Sequence, residues 1–409
     1  MSRAAGVAPC GGPDPQARPD PIRRMRPGHA EVAQLETPQF EAPKPEAPRI
    51  EIAQVDSFEA LGAEWRALEA RAKPSFFQSW TWVGCLAEER FPDPVVLRAT
   101  VGGQTLGLAL CNRRRGRLCL TESGDAGLDA PFVEHNAPLL APGLRPDVLP
   151  WLFRAAWSAR GVRRLVLSGV PPAVATAAGG LAWRRQARAV PLVDLARVRE
   201  AGGNWLASLS ANTRYQLRRS AKHYGGPRLI RAATEAEALD GLAALATLHA
   251  ERWRERGQPG AFATPWLQRF HRTLIGRGLG RGEVDLLRVV AGDGRAIGYL
   301  YNFRLGGRVS AYQSGLDLAG AGPQGKPGLT CHQLAIERAL AEGDAVYDLL
   351  AGASRYKRSL ANAESELMWV ELVRPWSLAG LAVRLRAVIQ ARMQARMRPD
   401  PAQPTNSAA

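Results

Sequence analysis

The 409-residue chain has few cysteines: Cys10, Cys85, Cys111, Cys119 and Cys331. None forms a C-x-x-C pair and the number is odd, which argues against a disulfide framework and makes a reducing cytoplasm the expected setting. No apolar run reaches the roughly 18 residues of a membrane-spanning helix, and the N-terminus lacks the apolar core of a secretory signal. The six histidines include no H-E-x-x-H pattern, so no metal site is expected. A G-x-S-x-G elbow and a G-x-x-x-x-G-K-[ST] loop are absent too, which removes the common hydrolase and nucleoside-triphosphatase signatures. Acidic residues are in deficit, 38 against 54 Lys and Arg, for a net charge of +16. That surplus fits either a plain arginine-rich surface or an anionic partner: a phosphate-bearing small molecule, a lipid or polysaccharide surface, or nucleic acid. No zinc-finger, RRM or KH pattern supports specific nucleic-acid recognition.

What is present divides the chain into four parts. Residues 1–49 hold ten of the 30 prolines, cannot bury enough apolar surface to offset their ordering entropy, and read as a disordered tail. Residues 50–200 read as a first folded half. A strand at 50–55 precedes a helix capped by Asp56 or Ser57, with Phe58, Leu61, Trp65 and Leu68 on one face. Phe76, Phe77, Trp80 and Trp82 read as core, and 182–195 as the strand that finishes the first sheet. Residues 201–375 read as a second half, with Thr234 capping a long helix and Thr264-Pro265 opening another. Residues 376–409 are a basic helix and tail. Its stripe of Leu378, Leu381, Leu385, Val388 and Ile389 suits a membrane-surface helix or, the better fit, a helix packed on the body.

The stretch 295–357 organises the rest. Two aromatic-rich runs flank Leu305-Gly306-Gly307, a hairpin signal because such positions tolerate φ > 0. A Gly/Pro-rich loop, 319–328, leads into a helix at 329–342, and a strand follows at 345–350. The amides at a helix start and the macrodipole make that loop a place for a pyrophosphate. Its candidates are Gln324, Gly325, Lys326 and Gly328, with Leu329 and Thr330 opening the helix.

GYLYNF, YQSG, the PG before a helix containing AIE, YDLLAG and the YK pair resemble the GNAT acyltransferase superfamily. More narrowly they resemble its BioF-like and CelD/BcsL-type acetyltransferase branch, related to the FemABX aminoacyl transferases. The resemblance is strongest over 204–372. It implies an α/β fold of two GNAT-like halves, each a mixed twisted sheet flanked by helices. It also implies acyl-CoA, acetyl-CoA being expected, as co-substrate, although the loop departs from the Q/R-x-x-G-x-G/A pattern in its spacing. Asp348, on the strand beside the cofactor, is a candidate proton acceptor if burial raises its pKa, the alternative being a buried carboxylate satisfied by Arg355 or backbone donors. Lys357 is a candidate oxyanion or acidic-group binder, and Tyr356 a candidate proton donor to the leaving thiolate, both expected in a loop. Tyr301, Tyr312 and Gln313 on the hairpin, and Asn212, Arg214 and Arg218 near the start of the second half, are candidates for holding substrate. Arg214 and Arg218 stand four apart on a helix face, where two guanidiniums clamp a carboxylate or phosphate.

The expected reaction is direct transfer of an acyl group to an amine or hydroxyl of a small-molecule, saccharide or peptide acceptor. The branch suggests polysaccharide or cell-envelope biosynthesis. A FemABX-like transferase using aminoacyl-tRNA, and a non-catalytic accessory protein of polysaccharide biosynthesis, are the other readings. Peripheral membrane contact fits the basic helix; the oligomeric state is not legible.

Overall fold

A computed structural model describes residues 47–129, 131–352 and 354–397. Residues 1–46 of the proline-rich tail lie outside the described residues. The first half runs β1 (Arg49–Gln54), α1 (Phe58–Glu69), α2 (Trp80–Arg90), β2 (Pro94–Val101), β3 (Gln104–Arg114), β4 (Arg117–Leu120), β5 (Leu139–Leu140), α3 (Val148–Ser158), β6 (Arg164–Val170), α4 (Pro172–Ala177), β7 (Leu181–Asp194) and α5 (Leu195–Glu200). The second runs α6 (Ala211–His223), β8 (Arg228–Arg231), α7 (Glu235–Arg254), α8 (Pro265–Gly278), β9 (Val284–Val290), β10 (Ala296–Leu305), β11 (Arg308–Leu316), α9 (Pro327–Ala341), β12 (Val346–Asp348), α10 (Arg355–Leu360), β13 (Ala363–Val373) and α11 (Leu378–Met397).

Local chemistry accounts for the boundaries. The Ser57 hydroxyl accepts from the Ala60 amide and caps α1. Thr234 and Glu237 form a reciprocal capping box at the start of α7, which satisfies orphan amides at both ends of the motif. Thr264 caps α8, with Pro265 in its first turn. Gly306 and Gly307 both take positive φ, 57° and 75°, as a two-residue turn whose twist matches the strands requires.

The strands form one mixed sheet in the order β1-β2-β3-β4-β6-β13-β7-β12-β11-β10-β9-β8, with β5 paired to β3. The pairs β4–β6 and β11–β12 are parallel. The expectation that 182–195 closes the first sheet is corrected here. β7 pairs with β12 of the second half, and β13 of the second half pairs with β6 of the first. The halves exchange strands, joined by the long β7–β13 ladder from Ala363–Leu192 to Val373–Leu181.

The core crosses the same seam. Phe76, Phe77 and Trp82 are buried as expected, but against the second half: Phe76 stacks on Phe303 of β10 with centroids 4.1 Å apart, and Trp82 meets Phe270 of α8 at 5.4 Å. The C-terminal stripe is another correction. Leu378, Leu381, Leu385, Val388 and Ile389 are exposed instead of packed on the body. No described helix is long and apolar enough to cross a membrane.

Candidate active site where β11 and β12 part

β11 and β12 stay in register for three pairs, Arg308–Val346, Val309–Tyr347 and Ser310–Asp348. β12 then ends while β11 continues to Leu316, so that edge of β11 loses its strand partner. Opposite β10, Tyr301 pairs with Gln313 and Asn302 with Ala311, which makes Tyr312 a bulge. Bulges re-aim side chains and interrupt pairing beside active sites.

Asp348 sits at the vertex, fully buried. Its Oδ2 lies 2.6 Å from Arg308 Nη1 and 2.7 Å from His135 Nε2, and its Oδ1 accepts from the Leu350 amide at 2.7 Å. Burial pushes the carboxyl up, but His135, Arg308 and the Leu350 amide outweigh it and hold the group below the usual carboxylate range. Asp348 is therefore a buried anion held by Arg308, the His135 ring and a backbone amide, which corrects the reading of it as a proton acceptor with a raised pKa. Its partners are Arg308 and His135 instead of Arg355. Leu350 and His135 both take positive φ, 61° and 48°. Such backbone costs energy in non-glycine residues and persists where packing over-determines it.

Glu134, absent from the sequence reading, is the group that fits the proton-acceptor role. It is buried, and its Oε2 accepts from the Ala351 amide at 2.7 Å. Burial raises its pKa; the Ala351 amide opposes that, Asp348 adds to it, and His135 and Lys357 oppose it. Lys357 donates to the carbonyls of Leu350 at 3.2 Å and Ala351 at 3.1 Å. Burial lowers its pKa against the pull of Glu134 and Asp348. Tyr356 and Lys357 lie on α10 instead of in a loop, and the Tyr356 ring stacks over His332 of α9 at 6.0 Å. Cys331 is fully buried and burial pushes its thiol up to about 12, which disfavours the thiolate that a nucleophile needs.

Glu134 and His135 belong to the irregular segment between β4 and β5. A long loop carrying polar residues inside a compact fold was the available signal, since nothing local ties those residues to Asp348. The loop is seated on β6 through a close approach: a Cβ on Gly169, itself at φ 63°, would lie 2.1 Å from the Val133 carbonyl oxygen, and the Asn136 amide donates to the Gly169 carbonyl at 2.9 Å. Gly169→Ala is expected to lower stability by about 1–3 kcal/mol through overpacking, read as a lower urea midpoint at unchanged slope.

The remaining candidates sort by burial. Tyr301 is fully buried among His271, Phe303 and Tyr312, which corrects its assignment as a substrate contact. Tyr312 and Gln313 lie on the part of β11 that has left β12. At the loop before α9, Gly325, Leu329 and Thr330 are buried while Gln324 and Lys326 are exposed. The contact that buries them is with α6. The Ser220 hydroxyl accepts the Lys326 amide at 2.9 Å and lies 2.7 Å from the Thr330 hydroxyl. Thr330 and Leu329 therefore offer no side chain to a ligand, which corrects that part of the assignment. Pro327 carries no amide proton, so the Gly328 and Leu329 amides, at the second and third helical positions, remain as donors with no acceptor among the described residues. Asn212 and Arg218 are exposed on α6, whereas the Arg214 guanidinium donates to the Leu209 carbonyl. The expected arginine clamp is thus reduced to Arg218.

A family model described as an acetyltransferase (GNAT) domain matches residues 207–358. No curated protein matches the chain. Among solved structures, FemX superposes with a TM-score of 0.54 at 10% identity, over 82% of this chain and 99% of that one. A conserved protein of unknown function from Bacteroides thetaiotaomicron VPI-5482 gives 0.53 at 10% identity, over 79% and 100%. The C-terminal domain of a putative lysylphosphatidylglycerol synthetase from Agrobacterium fabrum gives 0.50 at 13% identity, over 81% and 97%. At these identities the similarity is one of fold.

Proposed function

We propose that this chain, a GNAT-superfamily protein related in fold to FemX, transfers an acyl group, acetyl being the simplest, from acyl-CoA to an amine or hydroxyl acceptor. The observation that supports this reading is the parting of β11 from β12 beside a helix start with two unengaged amides. A parted strand offers peptide groups to an extended amide-bearing chain. The Gly328 and Leu329 amides with Lys326 suit a phosphate, and the exposed Arg218, Arg219 and Lys222 of α6 add positive charge on the helix packed beside that loop.

The chemistry needs three things of this chain. Glu134, its pKa raised by burial, takes the proton of the attacking acceptor as the new bond to the acyl carbon forms. The amide of the Tyr312 bulge and the Lys357 ammonium are the donors for the developing oxyanion. As the C–S bond breaks, the leaving thiolate takes a proton from the Tyr356 hydroxyl. No covalent enzyme intermediate is needed; holding both substrates together supplies much of the rate.

Thermal unfolding with and without acetyl-CoA tests the reading. At about 100 times its dissociation constant a ligand confined to the native state stabilises by about 2.7 kcal/mol. The shift is expected in the parent and lost in Gly328→Trp, where even a Cβ comes 3.3 Å from Leu316 Cδ1. A parent that ignores acetyl-CoA but binds tRNA with steep salt dependence overturns it in favour of aminoacyl transfer. The fold likeness to FemX is what makes that the second reading. A polysaccharide or other cell-envelope saccharide is the acceptor class to screen first.

A further inference from the structure

We propose that α11 is a membrane-surface anchor that lays its apolar stripe into the headgroup region of an anionic lipid bilayer. Over the first twelve residues of the helix, Leu378, Leu381, Leu385, Val388 and Ile389 fall on one face at helical spacing and are between 48% and 88% exposed, and Arg392 and Arg396, on the same face in sequence, end the stripe. Trp376, just before the helix, is 82% exposed. The first turns of the helix pack against β7: Gly380 is buried and Ala379, Ala382 and Val383 are half-buried, while every residue from Arg384 to Gln390 is exposed.

Charge selects the occupant. Between Glu371 and Asp400 the sequence holds no acidic residue and six arginines, Arg374, Arg384, Arg386, Arg392, Arg396 and Arg398. On a helical projection Arg384 and Arg386 flank the stripe on either side. Arg384 lies over the Trp376 ring at 4.3 Å, and Arg386 over Trp183 of β7 at 5.0 Å. Long cationic side chains beside an apolar stripe can keep their charge at the headgroups while the stripe enters the acyl boundary. Arg185, two residues after Trp183 on β7, is exposed as well. Beside the helix start, a cleft of about 650 Å³ lined by Arg154, Trp157, Arg374 and Trp376 gives a phosphate-bearing headgroup room and two guanidiniums. A face for another protein copy would need matching acidic groups, and this segment supplies none.

The test is co-sedimentation of the full chain with vesicles of phosphatidylcholine alone or mixed with phosphatidylglycerol. Binding to the mixed vesicles is expected, falling about tenfold or more on neutral vesicles or as ionic strength rises. Leu381→Glu/Leu385→Glu is expected to abolish it, and Arg384→Glu/Arg386→Glu to remove the preference for anionic lipid. Because all four side chains are exposed, both variants should keep the parent's melting temperature. Indifference of the parent to vesicles, or unchanged binding by both variants, overturns the proposal. So does a self-associated parent in light scattering that Leu381→Glu/Leu385→Glu dissociates, because the stripe is then an interface between copies.

Discussion

Asp348→Ala is expected to cost about 3–5 kcal/mol of stability, the range for removing one partner of a buried ion pair. The carboxylate is fully buried and binds Arg308, His135 and the Leu350 amide. Deleting it leaves the Arg308 and Leu350 donors without their acceptor and the His135 ring without its partner. Arg308 is about a third exposed and can turn toward water, which favours the lower end of the range; His135 is mostly buried and cannot. The damage is not confined to one strand, because His135 comes from the first half of the chain and Asp348 from the second. Urea unfolding followed by tryptophan fluorescence and by circular dichroism should show one transition at a lower midpoint. Asp348→Asn keeps the shape and loses the charge, and should fall between parent and Ala. A parent-like Asp348→Ala would mean that burial of the carboxylate costs as much as its partners return.

The same group predicts a pH dependence. Its folded pKa lies below the ordinary aspartate value, about 3.9 in the unfolded chain. Its stabilisation is thus complete above that unfolded value and disappears as pH falls through the lower, folded one. Parent and Asp348→Asn should differ by a constant amount near neutrality and converge in acid.

Glu134→Gln is expected to lower acyl transfer by about 10²–10⁴-fold, the usual contribution of a positioned general base, with the acyl-CoA dissociation constant and the melting temperature little changed. Glutamine can still accept the Ala351 amide through its carbonyl, so the loop stays in place and only proton acceptance is lost. The parent's rate should rise with pH through the raised pKa of Glu134, because the base works only when ionised. In Glu134→Gln that rise should be missing. Full activity in the variant would move the base elsewhere, and a loss that appears only in KM would make Glu134 a binding group. Asp348, held below the usual carboxylate range and tied to Arg308, is not a substitute.

The fold's local units were legible because each is decided within a few residues. Gly306-Gly307 turned the hairpin, Thr234 and Thr264 capped their helices, and Phe76, Phe77 and Trp82 were too apolar to sit outside the core. The GNAT resemblance in 295–357 was legible for the same reason, and a family model now matches 207–358. The strand exchange was not. β7 and β13 read as ordinary strands in sequence, and which sheet each completes depends on partners more than 150 residues away, Asp348 for Leu192 and Val170 for Met368.

The candidate site divides along the same line. Sequence marked Asp348, Tyr356 and Lys357, all within ten residues of one another, but could not assign their roles. Protonation depends on neighbours brought by the fold: Arg308 from β11, and Glu134 and His135 from a loop more than 200 residues upstream. Likewise the α9 loop looked open in sequence, and only the docking of α6 filled part of it with Ser220 and left the Gly328 and Leu329 amides as donors. What the sequence determined alone is what propensity, capping and periodicity decide within one element. Burial, ion pairing and strand choice are sums over distant contacts, so the burial of Glu134 beside Asp348 and the sheet that each half completes were decided only by the tertiary structure.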